Sequence, residues 1–171
     1  MGRLFIALWP RGPAIGALEN LAGELAVAAG GKPAPAAKIH LTLVFLGELD
    51  GERLALAAQV AAGQRSDPFE LALDRVGSFR SARVAWAGVS QPPAALLTLQ
   101  AKLAAALRAA AFELEERAFV AHLTLVRHIT RRVPEASIAP ISWQVHELSL
   151  VQSDTGTGRY KEVAAWPLTG A

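Results

Sequence analysis

Short apolar runs of strand length alternate along this chain with longer Ala- and Leu-rich stretches of helical period. Residues 3–9 (RLFIALW) form an apolar run closed by Pro10 and predict a buried strand. Residues 14–29 carry Leu18, Leu21, Leu25 and Ala28 at helical spacing and stop at Gly30-Gly31. The segment 31–37 predicts a loop, because Pro33 and Pro35 bias their predecessors to extended geometry. A strand follows over 38–46, ended by Gly47, then a helix over 52–62. Residues 69–76 and 83–89 predict two strands about a turn at 77–82. Pro92-Pro93 open a helix to about Ala111, with Leu96, Leu99, Leu103 and Leu107 on one stripe. Residues 119–128 predict a strand, 134–140 a loop, 141–152 a long strand and 159–165 its return across DTGTG. Hairpins outnumber strand–helix–strand alternation in the second half. An antiparallel α+β arrangement is therefore expected, as one domain over residues 1–171.

Composition narrows the chemistry. Cysteine is absent, which excludes a disulfide framework, a thiolate nucleophile, a Cys-type zinc site and an iron–sulfur cluster. The net charge of +2 is too small for a polycation that grips nucleic acid by bulk electrostatics. Of 17 basic residues 13 are Arg, the residue of forked phosphate recognition, although a GC-rich genome produces the same bias. The N-terminal apolar run is too short for a signal peptide, and no later stretch reaches membrane-spanning length. A cytoplasmic protein that does not engage membranes is the expectation.

One repeat stands out. The chain reads KIHLTLVFLG at 38–47 and VAHLTLVRHI at 120–129, so HLTLV recurs 82 residues apart. The first four residues after each His are an apolar strand interrupted only by a Thr. Residues i and i+2 of a strand share a face, about 6.7 Å apart, so His and Thr project side by side. The intervening Leu41 and Leu123 point into the opposite core. Two such strands about a pseudo-twofold axis place two His and two Thr around one point.

That constellation suits a phosphate. A neutral imidazole takes a proton from water while a charged one protonates the leaving oxygen, and both forms are accessible near neutrality. The Thr hydroxyls hold the non-bridging oxygens as charge builds. Neither cofactor nor metal is required by this chemistry. His128, in register with His122, invites a metal reading, but the acidic residues nearby lack ligand spacing. His146 reads as an ordinary surface or core histidine.

The two motifs, His40-Leu41-Thr42-Leu43 and His122-Leu123-Thr124-Leu125, resemble the paired HxTx motifs of the 2H phosphoesterase superfamily. Within it the chain is most similar to the bacterial and archaeal RNA 2′,3′-cyclic phosphodiesterases, first described as 2′–5′ RNA ligases. RLFIAL, HLTLVFLGEL, RVAWAGV, HLTLVR and SDTGTGRYKEVAAWPL carry the likeness in family order over nearly the whole chain. One departure is Ala121, where the family usually has Pro before the second His; no chemical group is lost by it.

The resemblance implies two pseudo-symmetric lobes, each an antiparallel sheet with flanking helices, and an active-site cleft between them. It implies metal-independent opening of an RNA terminal 2′,3′-cyclic phosphate to a 2′-phosphomonoester. His40 and His122 become the catalytic pair, with His40 the acid toward the 3′ oxygen and His122 the base on water. Thr42, Thr124 and Arg127 become phosphate ligands. Strict alternation puts Arg127 on the face opposite Thr124, so a twist or strand end is needed to bring it round.

Phe45, Trp86 and Tyr160 are candidates for stacking a base. Arg11, Arg80, Arg131 and Arg132 are candidates for upstream phosphates, with solvated loop charges as the plainer reading. Three other activities remain open: 2′–5′ ligation at the same site, turnover of a small cyclic nucleotide or cyclic ADP-ribose phosphate, and binding of RNA ends without turnover. A monomer is expected.

Overall fold

The computed structural model describes residues 2–170. In chain order the elements are β1 (Gly2–Leu8), α1 (Pro13–Ala29), β2 (Lys32–Pro33), a 3-10 turn (Ala36–Lys38), β3 (Leu41–Glu48), α2 (Gly51–Ala62), β4 (Phe69–Phe79), β5 (Val84–Gly88), α3 (Ala94–Ala109), β6 (His122–Arg127), β7 (Ala136–Val145), β8 (Glu147–Asp154) and β9 (Tyr160–Pro167). The strands form one sheet in the order β7-β4-β5-β6-β3-β1-β8-β9, with the short β2 beside β6. Every pairing is antiparallel. The α+β class expected from the pattern holds, with one continuous sheet where two had been anticipated.

That sheet is narrowest at its centre. β3 and β6 share the single pair Leu41↔Leu123, and beyond it β2 takes over as the neighbour of β6 through Lys32↔Arg127 and Pro33↔Val126. Four strands lie on each side of this seam. Both Leu41 and Leu123 are fully buried. Leu→Ala at either would cost about 2–5 kcal/mol, as for other closed core sites.

The helices follow their sequence signals. Pro13 opens α1 and Gly30, at φ 64°, closes it by returning its N–H to Ala26 O at 2.8 Å. Ala14, Leu18, Ala22, Leu25 and Ala29 form its buried face, which packs on β6, β2 and β7. Asp50 caps α2 by accepting the N–H of Arg53 at 2.8 Å. The Leu96, Leu99, Leu103 and Leu107 stripe of α3 is buried. No helix among the described residues is long and apolar enough to cross a membrane.

Three parts of the pattern misled. The segment 134–140, expected as a loop, is strand from Ala136 onward, because β7 runs through Pro140. β7 lies at the edge of the sheet and its register slips opposite Leu73 and Arg75, the setting in which a proline lacking an N–H is tolerated. The long strand expected over 141–152 is broken at the exposed His146 into β7 and β8. β2 likewise falls within the loop expected at 31–37. β1 explains why RLFIAL has no alternation. Leu4, Ile6 and Leu8 enter the main core, while Phe5 and Ala7 form a second cluster with Val151 on the other face, against which Trp9 and Tyr160 pack.

Candidate active site

The repeat meets itself at the seam. In antiparallel register about Leu41↔Leu123, His40 stands across from Thr124 and Thr42 across from His122. The two leucines point into the core, so the four polar side chains share the other face. All four line one groove of about 1360 Å3.

Each imidazole is fixed in the same way. His40 Nδ1 lies 2.8 Å from the carbonyl of Lys38, and His122 Nδ1 lies 2.8 Å from the carbonyl of Val120. A carbonyl only accepts, so Nδ1 carries the hydrogen in both rings. The ring nitrogen left off the backbone is therefore Nε2 in each motif. In His40 that nitrogen is 2.9 Å from Thr42 Oγ1, which donates to it when the ring is neutral.

The second cluster of the fold encloses His40. Phe5 stacks on its ring at 4.8 Å, Trp9 lies at 5.2 Å, and Tyr160 meets it edge-on at 5.5 Å. Burial pushes its pKa down to about 4, opposed by the Lys38 carbonyl and aided by the charges of Arg127 and His122. In the free enzyme at pH 7 His40 is thus neutral. His122 has a lighter aromatic contact, the edge-on ring of Phe79 at 5.1 Å, which itself packs on Trp86 at 5.5 Å. The sequence reading missed Phe5, Trp9 and Phe79. The unbroken apolar run of β1 was the available signal for the first, since a strand buried on both faces must cover something on each.

A bulge after each threonine settles which residues follow onto the site face. On β6, Trp86 pairs with Thr124 but Ala85 pairs with Val126, so Leu125 is an extra residue. On β3, Ala7 pairs with Thr42 but Ile6 pairs with Val44, so Leu43 is the extra one. Alternation slips by one at both places. Arg127 consequently returns to the face of Thr124, and Phe45, the equivalent residue of the first motif, returns to the face of Thr42. Both line the groove, and Phe45 is 55% exposed.

The other candidates sort by position. Tyr160 lines the groove, beside His40 and beneath the Lys38 ammonium at 5.4 Å. Trp86, expected as a stacking platform, is 7% exposed and does not line the groove; it is packed over Gly77 and Gly88, where a Cβ at Gly88 would meet its ring at 2.8 Å. Arg80 lines the groove at the β4–β5 turn. Arg11 instead pairs with Glu147 at 2.6 Å beside a separate cavity of about 420 Å3. Arg131 donates to the carbonyls of Ala28 and Val27 at 2.9 and 3.1 Å, satisfying the C-terminus of α1. Arg132 is exposed away from the groove. His128 leaves the strand at φ 57°. Among the described residues no cluster of three or more His, Asp or Glu is placed to hold a metal ion.

Comparison with known proteins agrees with this geometry. Residues 9–157 match the model of the 2′-5′ RNA ligase superfamily. The chain is 36% identical over 146 residues to an RNA 2′,3′-cyclic phosphodiesterase of Escherichia coli K12, covering 81% of each protein. It is 30% identical over 138 residues to one from Archaeoglobus fulgidus, covering 79% of this chain and 77% of that protein. Among solved structures, E. coli LigT in apo form superposes with a TM-score of 0.85 at 31% identity, and its complex with 3′-AMP with 0.82, each over 98% of both chains. A shared family model over most of the chain, relatives at this identity and a common fold lead to one conclusion: the chain belongs to the 2′-5′ RNA ligase superfamily, the 2H phosphoesterases.

Proposed function

We propose that this protein hydrolyses the terminal 2′,3′-cyclic phosphate of RNA to a 2′-phosphomonoester, without a metal ion, by acid–base catalysis between His40 and His122. The observation that carries the proposal is the matched placement of two imidazoles, each with Nδ1 tied to a backbone carbonyl at 2.8 Å and Nε2 left for chemistry, in one groove. The names of the E. coli and A. fulgidus relatives agree with it. The two four-strand halves of the sheet act as lobes of a single domain, with the groove across their seam as the cleft.

In this mechanism one imidazole removes a proton from water as its oxygen attacks phosphorus. The P–O3′ bond breaks, and the other imidazole gives a proton to the departing 3′ oxygen. Thr42, Thr124 and Arg127 hold the non-bridging oxygens as negative charge gathers on them. Water and a 5′-hydroxyl compete for the same in-line position, so ligation is the same displacement with a different nucleophile, and water at about 55 M prevails unless an RNA end is held at high effective molarity.

The proton on His40 decides the division of labour. Neutral in the free enzyme, it is in the state of a base. As the acid toward O3′, the role the family likeness gives it, it must gain a proton when substrate binds. An anionic phosphate promotes this by offsetting the charge of Arg127, one of the influences that hold the proton off. Protonation of Nε2 also frees the Thr42 hydroxyl hydrogen for a phosphate oxygen. On the family likeness we assign His40 as acid, with its proton gained as substrate binds, and His122 as base.

An ester with a nitrophenolate leaving group tests the assignment, because that group departs without an acid. His40→Ala should be largely rescued on it and His122→Ala should not. The opposite pattern would exchange the roles, and wild-type turnover by either variant on RNA would end the two-histidine mechanism.

A further inference from the structure

The groove is larger than the reaction needs. Its volume of about 1360 Å3 exceeds the roughly 300–1,000 Å3 of ordinary small-molecule sites, and the histidine pair sits at the seam of β3 and β6, with the lining running on past Phe79 to the β4–β5 turn. The charged residues along that lining are Arg80, Arg108, Arg117 and Arg127, against Glu115. Glu115 is taken: its carboxylate accepts from Arg117 at 2.8 Å and its carbonyl from Arg108. Arg127 stands at the histidines. The Arg80 carbonyl accepts the Arg83 N–H at 3.3 Å, but its guanidinium is left without a hydrogen bond or ion pair among the described residues, exposed at the turn and facing the groove.

The turn that carries Arg80 is held still. The Ser78 hydroxyl donates to the Val133 carbonyl and accepts the Val133 N–H, each at 3.0 Å. Arg83 O accepts the Ile129 N–H at 3.1 Å, and Arg83 Nε donates to Ile129 O at 3.3 Å. Phe79, the residue before Arg80, lies against the ring of His122. Arg80 is thus one residue removed from a catalytic contact, on a braced hairpin, with an unused guanidinium. A guanidinium there suits a phosphodiester oxygen, whose charge it meets through forked N–H donors.

We infer that Arg80 forms a subsite for the phosphate one nucleotide upstream of the cyclic phosphate, so that this protein prefers a 5′-phosphorylated or internucleotide-linked end to a lone nucleoside cyclic phosphate. The inference rests on the hydrolase reading above and adds a specificity residue to it. Of the four arginines with the composition for this task, Arg11 and Arg131 are spent on Glu147 and on the end of α1, and Arg132 lies away from the groove.

The test compares kcat/KM for adenosine 2′,3′-cyclic phosphate, its 5′-phosphorylated form and the dinucleotide ApA ending in a 2′,3′-cyclic phosphate. Wild-type protein should favour the two substrates with an upstream phosphate by about tenfold at low salt, and less at high salt. In Arg80→Ala the ratio should fall to near one, and Arg80→Lys should restore part of it. Melting temperatures of the variants confirm that each is folded. Equal rates on all three substrates in the wild type would overturn the subsite while leaving the hydrolase reading intact, as would an unchanged ratio in folded Arg80→Ala. No turnover of any of the three would overturn the hydrolase reading and the subsite with it.

Discussion

Enclosure of His40 by Phe5, Trp9 and Tyr160 should be visible in the stability of the whole protein. Its pKa of about 4 in the fold lies below its ordinary value of 6.5, so between these values the unfolded chain binds a proton that the folded one refuses. Stability from this source is full above pH 6.5 and falls as pH drops toward 4, by on the order of 3 kcal/mol. Urea titrations of wild-type protein and His40→Asn at pH 4.5 to 7 measure it, and an equal pH dependence in the two would contradict the enclosure. Catalysis gives a second measure at the same scale. His40→Ala and His122→Ala should each lower kcat on RNA by about 10²–10⁴, with smaller losses of affinity. That His40, Thr42, His122 and Thr124 share one groove was legible in the sequence, because a polar pair two residues apart on an apolar strand must share a face. The face of Arg127 was not. Its spacing from Thr124 placed it opposite, and the bulge at Leu125 that corrects this leaves no mark in a run of apolar letters.

At the scale of elements, the two bulges do what the repeat alone does not. They turn Arg127 and Phe45 onto equivalent positions of the two halves, with the Arg127 charge acting on His40 and Phe45 lying against Phe5 at 6.3 Å. Gly77 and Gly88 are the matching requirement on β4 and β5, since both lie directly against the indole of Trp86. Gly88→Ala would bring a Cβ within 2.8 Å of that ring, and the displacement would pass through Phe79 to His122. The expected result is a loss of about 1–3 kcal/mol, or roughly 2–4 °C in Tm for each kcal/mol, together with a fall in kcat. A lowered Tm with kcat intact would detach Trp86 from the support of His122. Trp86 was one of three aromatic candidates for stacking a base, and it is buried instead. The glycines that bury it are recognisable as a recess only once β4 and β5 are paired. Pro140 misled in the same manner: it signals a loop in isolation and is an ordinary residue of an edge strand at a register slip.

For the molecule as a whole, a net charge of +2 implies that substrate is recognised by a few placed guanidinium groups rather than by a basic surface. The dependence of kcat/KM on salt should accordingly be shallow, near the slope of about −0.7 per contact for one or two phosphates of a single strand. A steep slope would mean that many more lysines and arginines meet RNA than line the groove. The architecture was legible as an antiparallel α+β domain because hairpin signals dominate the second half of the chain. Continuity of the sheet was not, because it depends on the single Leu41↔Leu123 pair between segments 82 residues apart. The most direct test of the account is one reaction: purified protein, EDTA and a short 5′-labelled RNA ending in a 2′,3′-cyclic phosphate, with the product resolved for the position of its phosphate. The account expects a 2′-phosphomonoester formed at an undiminished rate in the chelator. A 3′-phosphomonoester, or activity abolished by EDTA and restored by one metal ion, would contradict it.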